Sequence, residues 1–142
     1  MNSTLVTRIG VAILALTGLA VGGYATAAPR HFYDEFPFGR TWIAADGPFN
    51  EHLLRDFGTL NLALGIVALC AVFWLKRPLV VATALGWLVY SVPHLGYHVF
   101  NLEHYDSTDQ VGLVVTLLAT PIVALAVLLL SLRERNRAEA GA

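Results

Sequence analysis

The sequence predicts an all-α integral membrane protein that crosses the bilayer as a four-helix bundle. Hydrophobic residues make up 56% of the 142 residues and charged residues only 13%, a balance that does not suit a soluble globule. The mean hydropathy is +0.63. The apolar residues gather into four long runs, each close to the roughly 20 residues that a helix needs to cross about 30 Å of hydrocarbon.

The four runs predict helices within one transmembrane domain, residues 1–142, that ends in a charged tail. The helices are predicted at about 9–28, 51–75, 78–100 and 111–132, and the tail at 133–142. Only Lys76 and Arg77 separate the second run from Pro78, which is tolerated in the first turn of a helix. The second and third helices should therefore be antiparallel neighbours. Asn50 follows an Asp-Gly-Pro turn and is the predicted N-cap of the second helix.

The distribution of Lys and Arg predicts the orientation, because cytoplasmic loops carry the excess of these residues. Six lie on the side of the two termini and the tight turn, namely Arg8, Lys76, Arg77, Arg133, Arg135 and Arg137. The other side has only Arg30, Arg40 and Arg55. Both termini are therefore expected in the cytoplasm, and all five histidines at the outer side of the cell (inner) membrane. The lipid bilayer is then the first partner, and a homo-oligomer and a larger membrane complex are both compatible with this layout.

The first apolar run has a second interpretation. A basic residue, the apolar run 9–21 and the small residues 25–27 also resemble a secretory signal peptide with its cleavage site. We expect an uncleaved helix, because the apolar run extends to Ala28 and gives the bundle an even number of spans.

An aromatic outer loop is predicted between the first and second helices. Residues 29–49 are too polar to span the membrane, and aromatic side chains alternate there with charges, Gly and Pro. One interpretation is an interfacial belt, since aromatic residues settle at the headgroup level. The other is a lid over a cavity that opens outward, which would explain the length of the loop.

Charge and motifs exclude several function classes. The net charge is −1 and the basic residues are scattered, so a nucleic-acid partner is not expected. Cys70 has no second thiol, so any metal must be held by His and carboxylates. No phosphate-binding loop or hydrolase motif is evident.

The end of the third helix carries the most informative pattern. Polar and aromatic residues recur there at spacings of three and four and share an arc of about 120°. They are Trp87, Tyr90, Ser91, His94, Tyr97, His98 and Asn101. Such a face in a membrane helix should point into the bundle or a wet cavity, because lipid cannot satisfy its hydrogen bonds.

The pair His94 and His98 predicts a metal site, since two histidines four residues apart on one helix can bind the same ion. The start of the second helix supplies further polar residues at the same end of the bundle. The predicted metal ligands are His52, His94, His98 and His104, and the predicted ligand pocket adds Glu51, Arg55, Asp56, Tyr90, Ser91, Tyr97 and Asn101. Such a set suits a divalent transition metal such as zinc, iron, manganese or copper. Haem bound by His94 or His98 is a narrower alternative.

The run FPFGRTW followed by FNEHLLRDFGTLNLALG resembles a pattern in small uncharacterised actinobacterial four-helix membrane proteins, DoxX-like in layout. The resemblance implies the bundle, and that the Glu-His pair at 51–52 and the Arg-Asp pair at 55–56 belong to a common outer-side feature. A redox role would follow only by analogy of fold.

The sequence thus predicts an outward-facing His/carboxylate pocket that binds a metal ion or a small redox-active or lipophilic ligand. Whether the chain is an enzyme stays open. One alternative is a non-catalytic accessory or assembly subunit whose polar residues lock helix packing, with Asn61 making an interhelical hydrogen bond and glycines allowing close approach. Those glycines are Gly18, Gly22, Gly58, Gly65 and Gly86. The other alternative is a conduit for protons, ions or a small molecule.

Overall fold

The computed structural model describes residues 3–140, with side chains described through residue 133. Helices account for almost all of this range, and residues 3–140 contain no strand. The helices are α1 (Ser3–Ala27), α2 (Pro29–Glu35), α3 (Trp42–Ala45), α4 (Glu51–Trp74), α5 (Arg77–Val99) and α6 (Ser107–Ala140), with a 3₁₀ turn at Leu102–His104. The predicted all-α class is confirmed.

Four of these helices are long and apolar enough to cross a membrane. They are α1, α4, α5 and the segment Ser107–Arg133 of α6. Each corresponds to one of the four apolar runs of the sequence, so the predicted number of candidate spans is confirmed.

The helix ends follow local capping chemistry. The Asn50 side chain accepts a hydrogen bond from the Leu53 N–H at 3.1 Å, which confirms the predicted N-cap of α4. Helix α6 begins four residues before its predicted start, because the Asp106 carboxylate accepts from the N–H groups of Thr108 and Asp109. Helix α1 begins six residues earlier than predicted.

The predicted charged tail, 133–142, follows the fourth apolar run along the chain. Within 133–142, the described backbone continues as part of α6 to Ala140, whereas the last two residues lie outside the described range.

The four long helices form a ring in which α1 contacts α4, α4 contacts α5, α5 contacts α6, and α6 returns to α1. The most extensive contact joins α1 and α4 through glycines. A Cβ atom on Gly18 would lie 2.6 Å from the Asn61 carbonyl oxygen, and one on Gly22 would lie 2.7 Å from that of Gly58. Small residues let membrane helices approach this closely, as the sequence predicted for the glycines of these two helices.

Gly86 does not follow that prediction. A Cβ atom there would meet only Leu64 Cδ2, at an ordinary contact distance of 3.5 Å. The glycine is therefore not required by close helix packing.

The bundle is closed at the end that carries the turn between α4 and α5, here called the hairpin end. Its core layer contains Val11, Ala71, Val80, Ala84 and Val127. A second layer, nearer the middle, consists of Leu14, Ala15, Ala68, Trp87 and Ala124. Beyond this second layer the helices enclose a cavity.

The opposite end is covered by residues 28–50, here called the cap, which contain α2 and α3. Phe32 of α2 packs with Ala25 and Leu54, on the α1–α4 side of the bundle. Trp42 of α3 packs with Tyr105 and Leu113, on the α5–α6 side. The cap therefore bridges the two sides of the bundle.

Candidate functional site

A cavity of about 1130 Å³ lies between the cap and the Trp87 layer. All four long helices and the cap contribute to its wall, including Val21, Phe57, Asn61, Trp87, His94 and Thr120 from the helices and Phe36, Ile43 and Phe49 from the cap. Small-molecule sites typically measure about 300–1000 Å³. The cavity is thus large enough for a molecule with many heavy atoms, and far larger than an ion needs.

The wall of the cavity is mainly apolar and aromatic, and its charged residues are acidic. Asp46 and Glu51 contribute carboxylates, whereas no Lys or Arg of the described chain lines the cavity. An anionic group would therefore find no cation to pair with inside it.

A column of aromatic and imidazole rings follows the inner face of α5. The Tyr90 and His94 rings are stacked with centroids 5.5 Å apart, and the His94 and His98 rings meet edge to face at 4.9 Å. At the deep end, the Asn61 amide donates to the Tyr90 hydroxyl at 3.1 Å, which confirms the predicted interhelical hydrogen bond of Asn61. The column runs from the middle of the bundle to the cap.

Two buried nitrogen atoms in the cavity wall have no hydrogen-bond partner within the described residues. They are Nε1 of Trp87, a residue only 1% exposed, and Nδ1 of His98, which is 6% exposed. The nearest acid to His98 is Asp46, whose Oδ2 lies 3.7 Å from Nδ1, too far for a hydrogen bond. Each unpaired buried group costs about 1–3 kcal/mol of stability.

The cap is fastened to the α5–α6 side by a polar cluster. The Tyr105 hydroxyl donates to Asp46 Oδ1 at 2.7 Å, and the Trp42 indole N–H donates to Asp109 Oδ1 at 2.8 Å. Arg40 forms an ion pair with the same Asp109 carboxylate. Burial, reinforced by the hydrogen bond to Asp46, raises the pKa of Tyr105 above its ordinary value, so its phenol keeps the donated proton throughout the neutral range.

The structure places five of the predicted pocket and metal residues in the cavity wall. They are Glu51, Tyr90, Ser91, His94 and His98. Glu51 is exposed at the rim. Ser91 is buried, and its hydroxyl donates to the Trp87 carbonyl at 2.6 Å, which satisfies it within its own helix.

Tyr97 and Asn101, also predicted for the pocket, do not line the cavity. Tyr97 is 54% exposed, and the Asn101 amide donates to the Tyr97 carbonyl at 2.7 Å. Tyr97 lies at the edge of the predicted 120° arc of α5. A small rotation of α5 about its axis is therefore enough to leave Tyr97 outside the cavity wall.

The polar residues at the start of α4 do not converge on the histidines of α5, contrary to the prediction. His52 and Asp56 pair at 3.3 Å on the outer surface, with side chains 88% and 64% exposed. Arg55 donates to Glu51 at 2.9 Å and to the Thr26 carbonyl at 2.7 Å.

The apolar residues of the same helical turns explain this outcome. Leu54 and Phe57 take the inward positions of α4, and their burial favours turning the charged face toward water.

Of the four predicted metal ligands, His94 and His98 are adjacent on α5, whereas the other two lie away from them. His104 is half exposed beside Glu103, with His104 Nε2 3.7 Å from Glu103 Oε1, and His52 lies on the outer surface. Among the residues that the structure describes, no group of three or more His, Cys, Asp or Glu is placed to hold a metal ion. The described residues therefore give no support to a site for a divalent transition metal.

Four residues of the cap cluster were missed by sequence reasoning, namely Arg40, Trp42, Tyr105 and Asp109. For Asp46 the sequence indicates only a place in the turn before α4. The contacts join residues 59 and 67 positions apart, and no local pattern signals such pairs. The concentration of aromatic residues in the loop was the single available hint.

Comparison with known proteins gives no relative from which a function could be transferred. No protein-family model, curated protein or solved structure matches this chain. Function is therefore inferred from the chemistry of the cavity itself.

Proposed function

We propose that this chain is a multi-pass protein of the cell's inner membrane that binds a small lipophilic molecule in the capped cavity. The observation that carries the proposal is the mainly apolar cavity of about 1130 Å³ under the cap, whose wall contains a few polar groups such as the Tyr90 hydroxyl and the His94 ring. Apolar pockets with a few convergent polar groups are the usual form of small-molecule sites.

The outer surface of the long helices supports membrane insertion. Large apolar residues are exposed on all four, for example Leu16 (68%), Phe73 (72%), Val89 (75%) and Ile122 (56%). Water would make such a surface unfavourable, whereas lipid accommodates it. The excess of Lys and Arg near the hairpin end favours a cytoplasmic location for that end and for both termini.

The chemistry of the cavity favours a lipophilic molecule over the other predicted ligands. A metal ion requires several converging ligands, and the histidines of α4, α5 and the 3₁₀ turn do not provide them. A lipophilic molecule requires apolar volume and few hydrogen bonds, which the cavity offers.

A pair of variants in α6 tests the proposal. Thr120 lines the cavity and Ile122 is exposed on the outside of the same helix, so Thr120→Phe fills the cavity while Ile122→Phe adds the same ring outside it. We expect a lipophilic molecule in solvent extracts of the purified wild type and of Ile122→Phe, measured by mass spectrometry, and much less from Thr120→Phe. Equal amounts from both variants would contradict binding in the cavity.

Proton conduction is a second candidate, favoured by the ring column of α5. Tyr90, His94 and His98 lead toward Asp46 and Tyr105 at the cap, and such groups are what a proton relay uses. The test is proton flux into vesicles that contain the protein and a trapped pH dye. Flux that disappears in His94→Phe would favour this function, and flux equal to that of protein-free vesicles would exclude it.

A further inference from the structure

Asp46 is the one carboxylate of the cavity wall that has no Lys or Arg partner among the described residues. Each arginine at the end of the bundle that the cap covers forms an ion pair with a different carboxylate. The pairs are Arg30 with Asp34, Arg40 with Asp109 and Arg55 with Glu51. Glu51, the other acidic residue of the wall, is therefore neutralised, whereas the charge of Asp46 is not.

One oxygen of the Asp46 carboxylate is available to a ligand. Oδ1 accepts the Tyr105 hydroxyl proton at 2.7 Å, whereas Oδ2 has no hydrogen-bond donor within the part of the chain that the structure describes. His98 Nδ1 lies 3.7 Å from Oδ2, too far for a hydrogen bond. Asp46 lines the cavity and its side chain is 24% exposed, so a molecule in the cavity can contact the carboxylate. A partly buried charge without a counter-ion favours the binding of a cation.

Three aromatic side chains of the cavity wall lie next to Asp46. Besides its hydrogen bond to Asp46, the Tyr105 hydroxyl donates to the Trp42 carbonyl at 3.1 Å, and the two rings belong to one buried cluster. The His98 ring lies 6.4 Å from the Tyr105 ring, centroid to centroid. Aromatic faces attract organic ammonium ions, whereas an inorganic cation such as Ca²⁺ requires six or more oxygen ligands. The surroundings of Asp46 therefore favour an organic cation.

The rest of the cavity indicates what else such a ligand contains. Away from Asp46 the wall includes apolar side chains such as Val21, Leu54, Phe57 and Val123. The volume of about 1130 Å³ is far larger than an ammonium group fills, so the remaining space suits an apolar body. An anionic group on the same molecule would find no Lys or Arg of the described chain in the wall.

We infer that the ligand is a lipophilic organic cation, an ammonium group attached to an apolar body, whose charge lies against the Asp46 carboxylate. The inference rests on the proposed function, since it requires the cavity to bind a lipophilic molecule. It adds the charge of that molecule and the residue that recognises it.

The charge is tested with three labelled probes that share a tetradecyl chain: tetradecyltrimethylammonium, its uncharged carbon isostere 2,2-dimethylhexadecane, and the zwitterion tetradecylphosphocholine. Binding is measured in an uncharged detergent, and the partition of each probe into protein-free micelles is subtracted. We expect the wild type to bind the cation more tightly than either of the others. The preference over the isostere should be about 10-fold, which lies between the strength of a charge pair in water and that of one near a protein surface.

Asp46→Asn removes the charge, while the amide oxygen can still accept the Tyr105 proton. We expect its affinity for the cation to fall by about 10-fold and its affinity for the isostere to stay the same. Asp56→Asn is the matched control, because it removes the same charge from an exposed carboxylate that does not line the cavity. It should bind all three probes as the wild type does. Tyr105→Phe loses the hydrogen bond to Asp46 but retains the carboxylate, so it should still prefer the cation; loss of the preference there as well would show that Asp46 acts only by holding the cap.

Equal affinities of the wild type for the cation and the isostere, or a preference that survives in Asp46→Asn, would overturn the positive charge and leave the proposed function intact. A phosphocholine that binds as tightly as the cation would overturn it too, because the site would then accept an anionic phosphate. If none of the three probes binds the wild type, the proposed function fails together with this inference.

Discussion

The indole N–H of Trp42 donates to the Asp109 carboxylate at 2.8 Å, joining the cap to the first turn of α6 across 67 residues of sequence. Trp42 is 7% exposed and packs on Tyr105 and Leu113. One side chain thus provides both an apolar contact and a hydrogen bond to a charged group. It is one of several contacts that hold the cap over the cavity.

Trp42→Phe should loosen the cap. Hydrogen bonds to charged groups contribute about 1.5–3 kcal/mol, and the smaller ring also loses contact area. We expect a lower unfolding temperature and faster proteolysis within residues 36–48. Trp74→Phe is the matched control, because Trp74 is 65% exposed and lies at the far end of α4. Equal effects of the two substitutions would contradict a specific role for Trp42.

Two adjacent glycines of α1 provide a test of its packing against α4. A Cβ atom on Gly22 would lie 2.5 Å from the Leu62 backbone nitrogen, whereas one on Gly23 would have no neighbour within 4 Å. Gly22→Ala must therefore push the two helices apart, at a cost of about 1–3 kcal/mol. Gly23→Ala should be neutral or stabilising by up to about 1 kcal/mol, because Ala is the better helix former. Unfolding temperatures in detergent decide between these expectations, and a tolerated Gly22→Ala would show that the helices are not in close contact.

We predict that the folded protein loses stability at alkaline pH as the Tyr105 hydroxyl ionises. Burial raises the pKa of Tyr105 above its ordinary value of 10.0, and the hydrogen bond to Asp46 adds to this effect. The unfolded chain therefore releases the phenolic proton at a lower pH than the folded protein does, so the stabilisation is complete below about pH 10 and declines as pH rises further.

Unfolding of wild type and Tyr105→Phe between pH 8 and pH 12 measures this contribution. Groups common to both proteins cancel in the difference. We expect the wild type to be the more stable at pH 8 and its advantage to shrink above pH 10. An advantage that grows with pH would contradict a raised pKa for Tyr105.

The polar face at the start of α4 should be dispensable for binding. His52 and Asp56 form an exposed pair, and exposed ion pairs contribute at most about 1 kcal/mol. We expect His52→Ala to leave both stability and ligand content near those of the wild type. His94→Ala changes the cavity wall and should reduce ligand content. Loss of ligand in His52→Ala would mean that this surface belongs to the site.

The sequence predicted those features that depend on local periodicity. The four candidate spans follow from runs of apolar residues, and the inner face of α5 follows from the 100° spacing that places Tyr90, His94 and His98 together. The N-cap of α4 is local as well, because it needs only the Asn50 side chain and the Leu53 N–H.

Features that depend on how helices rotate against one another were not predictable in this way. Periodicity placed His52 and Asp56 on one face of α4, but the competing burial of Leu54 and Phe57 determined which way that face points. The cluster of Trp42, Asp109, Asp46 and Tyr105 depends on where the cap settles, and that is a property of the assembled bundle.

Native mass spectrometry of the intact protein, released from a mild detergent, tests the central claim most directly. We predict one bound lipophilic molecule per chain on the wild type and on Ile122→Phe, and an unliganded mass for Thr120→Phe, whose added ring occupies the cavity. An unliganded wild type that also fails to take up an added lipophilic molecule, or a Thr120→Phe protein that carries the same molecule as the wild type, would contradict the assignment of the capped cavity as a binding site.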